Sequence, residues 1–230
     1  MYVNEEKAKN ILDSVRTTYN KVAPQFVASR ARDWDEFEIV LSYIRADDTI
    51  LDAGCAHGRL VPMLQRHGIL EQNYTGIDIS EGLIDKARIS FPSLRFDVGN
   101  ICALPYKDNT FNVVISSAVL HHIPSQKLRI QMLRELRRVV RPGGKVMLLV
   151  WNAFGFKHLW KAIFLSYVKS ILSLGKHDVG DMMLPFFGKE NRRYVHAFTQ
   201  RSLQKLSKKS GIENAVVQKT GKNFFILFEK

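Results

Sequence analysis

The chain has 230 residues, 46% of them hydrophobic, with 34 Lys and Arg against 22 Asp and Glu for a formal net charge of +12. That length and apolar content can fill one sizeable core at the upper end of single-domain size, and they exclude a disordered or fibrous chain. No apolar run approaches the roughly eighteen residues of a membrane span, and Met1-Tyr2-Val3-Asn4-Glu5-Glu6 lacks the basic-then-apolar plan of a signal peptide, so a cytoplasmic protein with no membrane partner is expected. Cys55 and Cys102 give neither a zinc spacing nor a disulfide framework. Both are expected to be small residues in a reducing compartment, and no metal site is expected.

In chain order, residues 5–20 read as a helix. An apolar strand near 48–53 runs into the small-residue turn Gly54-Cys55-Ala56-His57-Gly58, with a helix from near 58. Strands near 74–79, 94–98, 112–117 and 145–150 alternate with helices from near 81 and 125, which predicts an α/β, doubly wound, mostly parallel sheet with helices on both faces. Pro124-Ser125 marks a helix start, and Leu128, Met132, Leu133, Leu136, Val139 and Val140 form its apolar stripe. Arg129, Arg134, Arg137 and Arg138 are expected on a solvated face. Within the aromatic-rich stretch 151–190, Phe156, Trp160, Ile163, Phe164 and Tyr167 recur at helical spacing among Lys157, Lys161 and Lys169. That stripe is expected to pack on the domain, with a base-stacking platform as the alternative. Gly175, Gly180 and Gly188 could let a lid move. A last helix near 200–210 precedes strands at 214–219 and 224–229. The expected organisation is one domain with a helical cap (1–45), a core (46–150), a substrate-side lid (151–198) and closing elements (199–230).

The turn after the first strand carries the chemistry. Gly54 and Gly58 let backbone pass close to a ligand, and Asp78, at the tip of the next strand, can accept two hydrogen bonds from ribose hydroxyls. These are the parts of a nucleotide-cofactor site. A dinucleotide fingerprint needs G-x-G-x-x-G, but from Gly54 the second and third places hold Ala56 and Arg59, so that reading fails twice. The spacing Asp52-x-Gly54-x-x-x-Gly58 resembles motif I of the class I S-adenosylmethionine (AdoMet) methyltransferases, with Ala56 in place of the middle glycine. Further on, Phe96-Asp97-Val98-Gly99-Asn100-Ile101-Cys102-Ala103-Leu104-Pro105, Asp108 to Ser116, Leu120-His121-His122-Ile123 and Arg141-Pro142-Gly143-Gly144-Lys145 follow the same family's order and intervals. Asn100 stands where that family usually places an adenine-binding acid; its side-chain oxygen can still accept a hydrogen bond.

The ends of the chain extend the resemblance. Tyr19-Asn20-Lys21-Val22-Ala23-Pro24-Gln25-Phe26, with Ser29-Arg30 and Trp34, then Val150-Trp151 and Arg193-Tyr194-Val195-His196, look like segments of the tRNA wobble-uridine carboxymethyl methyltransferases. The resemblance implies a seven-stranded sheet with the last strand antiparallel, AdoMet as donor with S-adenosylhomocysteine as product, a carboxymethylated tRNA uridine as acceptor, and in eukaryotes a small activating protein partner. Between 189 and 222, nine Lys and Arg stand against Glu190 and Glu213, a bias that would suit RNA, solubility being the plainer reading.

Carried over residue by residue, the resemblance implies that Gly54, Cys55 and Gly58 face the methionine and sugar. It puts Asp78 on the ribose, Ile79 on one adenine face, and Asn100 with Ile101 at the adenine edge. Ser116 and Ala118 would offer backbone groups to the methionine amine, Tyr19 and Arg30 would close over its carboxylate, and Asp52 would brace the turn. A carboxylate acceptor is already ionised and needs a clamp rather than a base, roles open to Arg30, Arg193, Tyr194 and His196. An amine or hydroxyl acceptor would require a base, for which His121 and His122 are candidates unless they are structural. Two alternatives stay open: a methyltransferase of a small-molecule substrate in a compact apolar pocket, and a catalytically silent RNA-binding or scaffold protein.

Overall fold

The computed structural model describes residues 5–30, 36–69, 71–172 and 178–230; Trp34 and Gly175 lie outside them. Period-two sorting of side chains sets the architecture. The chain forms β1 (Ile50–Ala53), β2 (Tyr74–Asp78), β3 (Arg95–Val98), β4 (Phe111–Ser117), β5 (Val140–Trp151), β6 (Asp181–Pro185), β7 (Arg192–His196), β8 (Val216–Thr220) and β9 (Asn223–Glu229). Seven strands make one sheet in the order β3-β2-β1-β4-β5-β9-β8, parallel except for β9, which runs antiparallel to both neighbours. Along β5, Val146, Leu148 and Val150 pack with Met132, Leu133 and Leu136 of α5 (Gln126–Val139) and Leu203 and Leu206 of α7 (Gln200–Lys209). The intervening Met147 and Leu149 face the opposite core, with Phe37 and Val40 of α2 (Phe37–Leu41), Leu64 of α3 (Val61–Arg66) and Ile84 of α4 (Glu81–Ser90).

Three elements differ from their sequence expectation, each for a local reason. The helix expected from near 58 begins at Val61, because Gly58 holds φ +80°, a left-handed conformation that a helix cannot contain. The first helix, α1 (Glu5–Ala28), continues past residue 20 and through Pro24. Pro24 has no N–H to give the Asn20 carbonyl. That residue is held from outside instead: Asn20 Oδ1 accepts from Ser80 Oγ (2.6 Å) and from the Gly82 N–H (3.1 Å), anchoring α1 to the start of α4. Arg141-Pro142-Gly143-Gly144, expected as a turn, forms an irregularity inside β5, where the register jumps from Phe111↔Val140 to Val113↔Lys145. A Cβ on Gly144 would lie 2.6 Å from the Asn112 carbonyl oxygen.

On the substrate side, α6 (Trp160–Leu172) packs on the β6–β7 hairpin around Leu159, Ile163, Met182, Leu184 and Val195. The aromatic stripe does not pack as expected. The inward face of α6 is Ile163, Ser166 and Ser170, small enough that the Gly180 N–H reaches Ser166 Oγ (3.2 Å), whereas Trp160, Phe164 and Tyr167 are 58%, 67% and 43% exposed.

Two arginines of α5 also leave the solvated face assigned to them. Arg138 latches the 100–110 loop through the Tyr106 and Leu104 carbonyls (2.8 and 3.0 Å), Asp108 and Glu135. Arg129 is only 3% exposed, because the hairpin and the 178–181 turn cover it. Its guanidinium reaches the Ile123 carbonyl (2.9 Å), Asp178 (3.1 Å), Asp181 (3.3 Å) and the Tyr194 hydroxyl (2.8 Å). Tyr194 and His196 also bond Asp181, the latter at 2.7 Å. Removing one partner from such a buried cluster strands the others. Asp181→Ala is therefore expected to lower the unfolding free energy by about 3 kcal/mol in urea melts, whereas a loss under about 1 kcal/mol would show that the cluster does not hold the hairpin.

Candidate cofactor and acceptor site

After β3 the chain returns to the other side of β1, and where β1 and β4 diverge a crevice opens at their C-terminal ends. It leads into a cavity of about 360 Å³, a size suited to a small ligand. One wall is the turn after β1. Gly54 has φ +89°, and a Cβ there would lie 2.1 Å from Val119 Cγ2, so only glycine fits. The Gly54 and Cys55 N–H groups both donate to the Ile77 carbonyl (2.7 and 3.1 Å). Ala56, at the missing glycine, adopts φ +52°, a left-handed strain of about 1–2 kcal/mol. Its N–H donates to Asp78 Oδ2 and the Ser80 N–H to Oδ1, each at 2.9 Å. Burial pushes the Asp78 carboxyl up in pKa while these amides hold it down. With Ile79 as a further backbone donor, the carboxylate keeps lone-pair capacity for a ligand hydroxyl.

Beyond Asp78 the lining turns apolar, with Leu12, Val15, Ile79, Leu83 and Ile101. Asn100 lines the same slot, but its Oδ1 already accepts the Cys102 N–H (2.9 Å), which leaves one lone pair and the amide N–H groups for a ligand. Asp52 and Cys55 form the floor. Gly58 lies outside, where a Cβ would meet the Phe91 ring at 3.0 Å. Ser116 is also outside, since its hydroxyl donates to the Ala53 carbonyl (2.8 Å) and ties β4 to β1. Its neighbour Ser117 lines the cavity with a buried hydroxyl that has no partner among the described residues, and Ala118 lies beside it at φ +59°. Strand alternation was the signal that could have placed Ser117.

The opposite wall is cationic and aromatic. His122 Nδ1 lies 2.7 Å from the Tyr194 carbonyl, which can only accept, so Nδ1 carries the proton and Nε2 accepts from the Tyr19 hydroxyl at 3.0 Å. Arg193 in turn donates to Tyr19 (3.2 Å). Burial, then the nearby Arg193 charge, pushes the His122 pKa down to about 3. His121 stacks on Trp151 (4.8 Å, 18°), is fully buried, and has no hydrogen-bond partner on either ring nitrogen among the described residues. Burial, His122 and Arg193 likewise hold it neutral.

The Arg193 guanidinium sits between Phe186 (4.0 Å to the ring centre) and Trp151 (4.6 Å), 8% exposed and without a carboxylate partner among the described residues. Arg30, over Phe26 at 5.2 Å, faces the same space. Burial and then Arg193 lower its pKa. Phe156, with Lys222 over its ring at 5.3 Å, and Asn223 also line the cavity, and Phe186 backs it through Arg193; sequence reasoning did not assign these to the site. Tyr194 and His196 were expected at the acceptor but do not reach the cavity. On β7, Arg193 points inward, so residues 194 and 196 point to the other face, into the Arg129–Asp181 cluster.

Asp52 offers a test of the floor. It accepts from the Tyr74 hydroxyl (3.0 Å), and burial raises its pKa to about 7. The unfolded chain loses this proton near pH 4, so the native state is penalised increasingly from about pH 4 to 7 and fully above 7. Asp52→Asn keeps an acceptor for Tyr74 and removes the titration. In urea melts of the ligand-free protein it is expected to be more stable than wild type by up to about 4 kcal/mol at pH 8, an advantage that fades toward pH 4. A difference independent of pH would mean that Asp52 titrates normally.

The AdoMet slot suggested by the sequence thus has a chemically suitable lining: acceptors at Asp78, apolar walls, an unpartnered Ser117 hydroxyl and a guanidinium at Arg30. Residues 51–148 match the family model described as Methyltransferase domain. An Encephalitozoon cuniculi protein named a methyltransferase is 33% identical over 142 residues, 60% of this chain and 62% of that protein. The Arabidopsis thaliana tRNA (carboxymethyluridine(34)-5-O)-methyltransferase is 33% identical over 139 residues, 60% of this chain and 33% of that enzyme. The chain therefore spans less than two thirds of these relatives. A SAM-dependent methyltransferase from Methanosarcina mazei shares the fold at TM-score 0.68 and 22% identity, over 86% of this chain and 99% of its own. So does a methyltransferase in complex with the Haloferax volcanii Trm112 methyltransferase activator, at TM-score 0.58 and 17% identity, over 93% and 96%. Residues 51–148 thus match a methyltransferase domain, the fold is that of SAM-dependent methyltransferases, and the core is similar to that of the tRNA carboxymethyluridine methyltransferases.

Proposed function

We propose that the chain methylates the carboxylate of a carboxymethyl-bearing wobble uridine in tRNA, with AdoMet as donor and S-adenosylhomocysteine as product. The observation that carries this reading is Arg193, a buried cation with aromatic faces on both sides and no anion beside it among the described residues. A guanidinium is costly to bury unpaired, and its fork matches a carboxylate. Arg30 supplies a second guanidinium on the same space, so two carboxylates, those of the donor's methionine and of the acceptor, have one clamp each. When bound, AdoMet supplies a methyl group on a sulfonium whose leaving group is neutral.

The remaining work falls to this chain's residues. Asp78 would hold the ribose hydroxyls, Ile79 and Ile101 would flank the adenine, and Ser117 would take the methionine amine. Trp151 and Phe156 on the cavity wall would strip water from the acceptor carboxylate, and positioning supplies much of the acceleration. A carboxylate needs no base. The site has little to offer as one: His122 is pushed down to about 3, with both nitrogens engaged, and His121 is also held neutral. That disfavours an amine or hydroxyl acceptor. The relatives' tRNA substrate and the +12 net charge support RNA over a free carboxylic-acid metabolite, which could use the same clamp. Help from a small activating protein is supported by likeness to the chain bound to the Trm112 activator. The proposed setting is the cytoplasm, supported by two buried, unpaired thiols, Cys55 and Cys102.

Incubation with methyl-labelled AdoMet and total cell extract is expected to put label into an RNase-sensitive fraction from which mild alkali releases it as methanol. Label confined to small molecules would sink the tRNA reading, and alkali-stable RNA label would sink the ester. Arg193→Ala should cost about 2–5 kcal/mol in kcat/KM, read from initial rates. Asp78→Ala should weaken AdoMet binding in calorimetry, and unchanged affinity would refute its ribose role.

A further inference from the structure

We propose that the outward aromatic face of α6 is a stacking platform for the single-stranded RNA that flanks the acceptor nucleotide; this rests on the RNA reading of the cavity above. The face is continuous with the cavity. Trp151 and Phe156 line it, the chain turns at Lys157–Leu159, and the Trp160 indole N–H donates to the Phe154 carbonyl (3.0 Å), so α6 starts at the rim. From there Trp160, Phe164 and Tyr167 follow at helical spacing along one side, each between 43% and 67% exposed. Trp160 to Tyr167 spans about 10 Å along the helix axis. Contiguous exposed apolar surface on a folded domain marks a binding site.

Charge selects the occupant. Between Trp151 and Asp178 the sequence has no Asp or Glu, and Lys157 and Lys161 stand exposed beside the start of the aromatic row, with Lys222 at the cavity rim. Aromatic rings bordered by lysines match unpaired bases joined by phosphates: the rings take base faces without regard to sequence, and the ammonium groups take the backbone. A nucleotide held at Arg193, beside Trp151 and Phe156 on the cavity wall, would continue outward into such a strand. A lipid surface or a second copy of the chain would instead draw mainly on the aliphatic end at Ile171 and Leu172, furthest from the cavity.

The test compares wild type, Trp160→Ala/Phe164→Ala, and Ile171→Ser/Leu172→Ser, all changed at exposed positions. Three quantities are read: anisotropy of a labelled single-stranded RNA of about twelve nucleotides, methyl transfer to total tRNA, and calorimetry with AdoMet. The aromatic double variant is expected to bind the oligonucleotide about tenfold or more weakly and to raise KM for tRNA, with kcat and AdoMet affinity unchanged. The aliphatic variant should match wild type. Unchanged RNA affinity and KM in the aromatic variant, with wild type still labelling tRNA, would overturn the platform alone. Absence of RNA label from wild type would overturn the proposed substrate and the platform together. Loss of sedimentation with anionic vesicles, or of a dimer, while RNA affinity persists would assign the face to lipid or to a second copy and likewise overturn the proposal.

Discussion

The reversal of strand order at β1 governs the rest of the molecule. Because β2 and β3 extend to one side of β1 and β4 and β5 to the other, the loops leaving β1 and β4 turn away from each other and leave their C-terminal ends uncovered. The two loops still touch at one point, where Gly54 passes so close to Val119 that no Cβ could be inserted. Left-handed conformations at Ala56 and Ala118 bend the chain sharply on each side of that contact. Backbone amides from one loop fix Asp78, and the other loop presents Ser117. The binding groups are thus set by main-chain geometry on a rigid sheet, and side chains are added to that frame.

Across the cavity the charge changes sign. Asp52 and Asp78 sit at the strand tips, Arg30 and Arg193 under α1 and the hairpin, and two neutral histidines stand by the cationic side. Cation–π contacts offset about 1–2 kcal/mol of the cost of burying Arg193, which is not enough by itself to hold the ion there. The remainder comes from the strand that bears it. One face of β7 gives Arg193 to the cavity, while the other gives Tyr194 and His196 to Asp181 and Arg129. The Tyr194 carbonyl then fixes the His122 tautomer, which orients Tyr19. The ion cluster therefore positions the cationic wall without touching the cavity.

The alternation of strands and helices was legible because periods of two and 3.6 are distinct in the sequence, and glycine spacing with Asp78 located the cofactor side. What the sequence hid depended on contacts between remote segments. Nothing local to α5 says that Arg129 will be covered, because the cover arrives fifty residues later. The β6–β7 hairpin was missed because charged residues and Pro185 break its apolar pattern. The Ser117 hydroxyl was missed because adjacent strand residues face opposite ways: Ser116 turns its side chain to β1 and Ser117 turns its own to the cavity. Tyr194 and His196 were grouped with Arg193 by sequence proximity, and the same alternation separates them.

A site with a bare Ser117 hydroxyl, an unpartnered His121 and an unneutralised Arg193 is expensive for the free protein, since a buried polar group left unsatisfied costs about 1–3 kcal/mol. A ligand that satisfies these groups recovers that energy on binding. Under the proposed chemistry the recovery is temporary by construction. The acceptor enters as a carboxylate, which neutralises Arg193, and leaves as a methyl ester, which carries no charge to do so. Methyl transfer thus restores the buried, unpaired cation and weakens the hold on the product. The same desolvation that makes Arg193 select an anion makes it release a neutral ester, so affinity for the substrate and release of the product follow from one buried guanidinium.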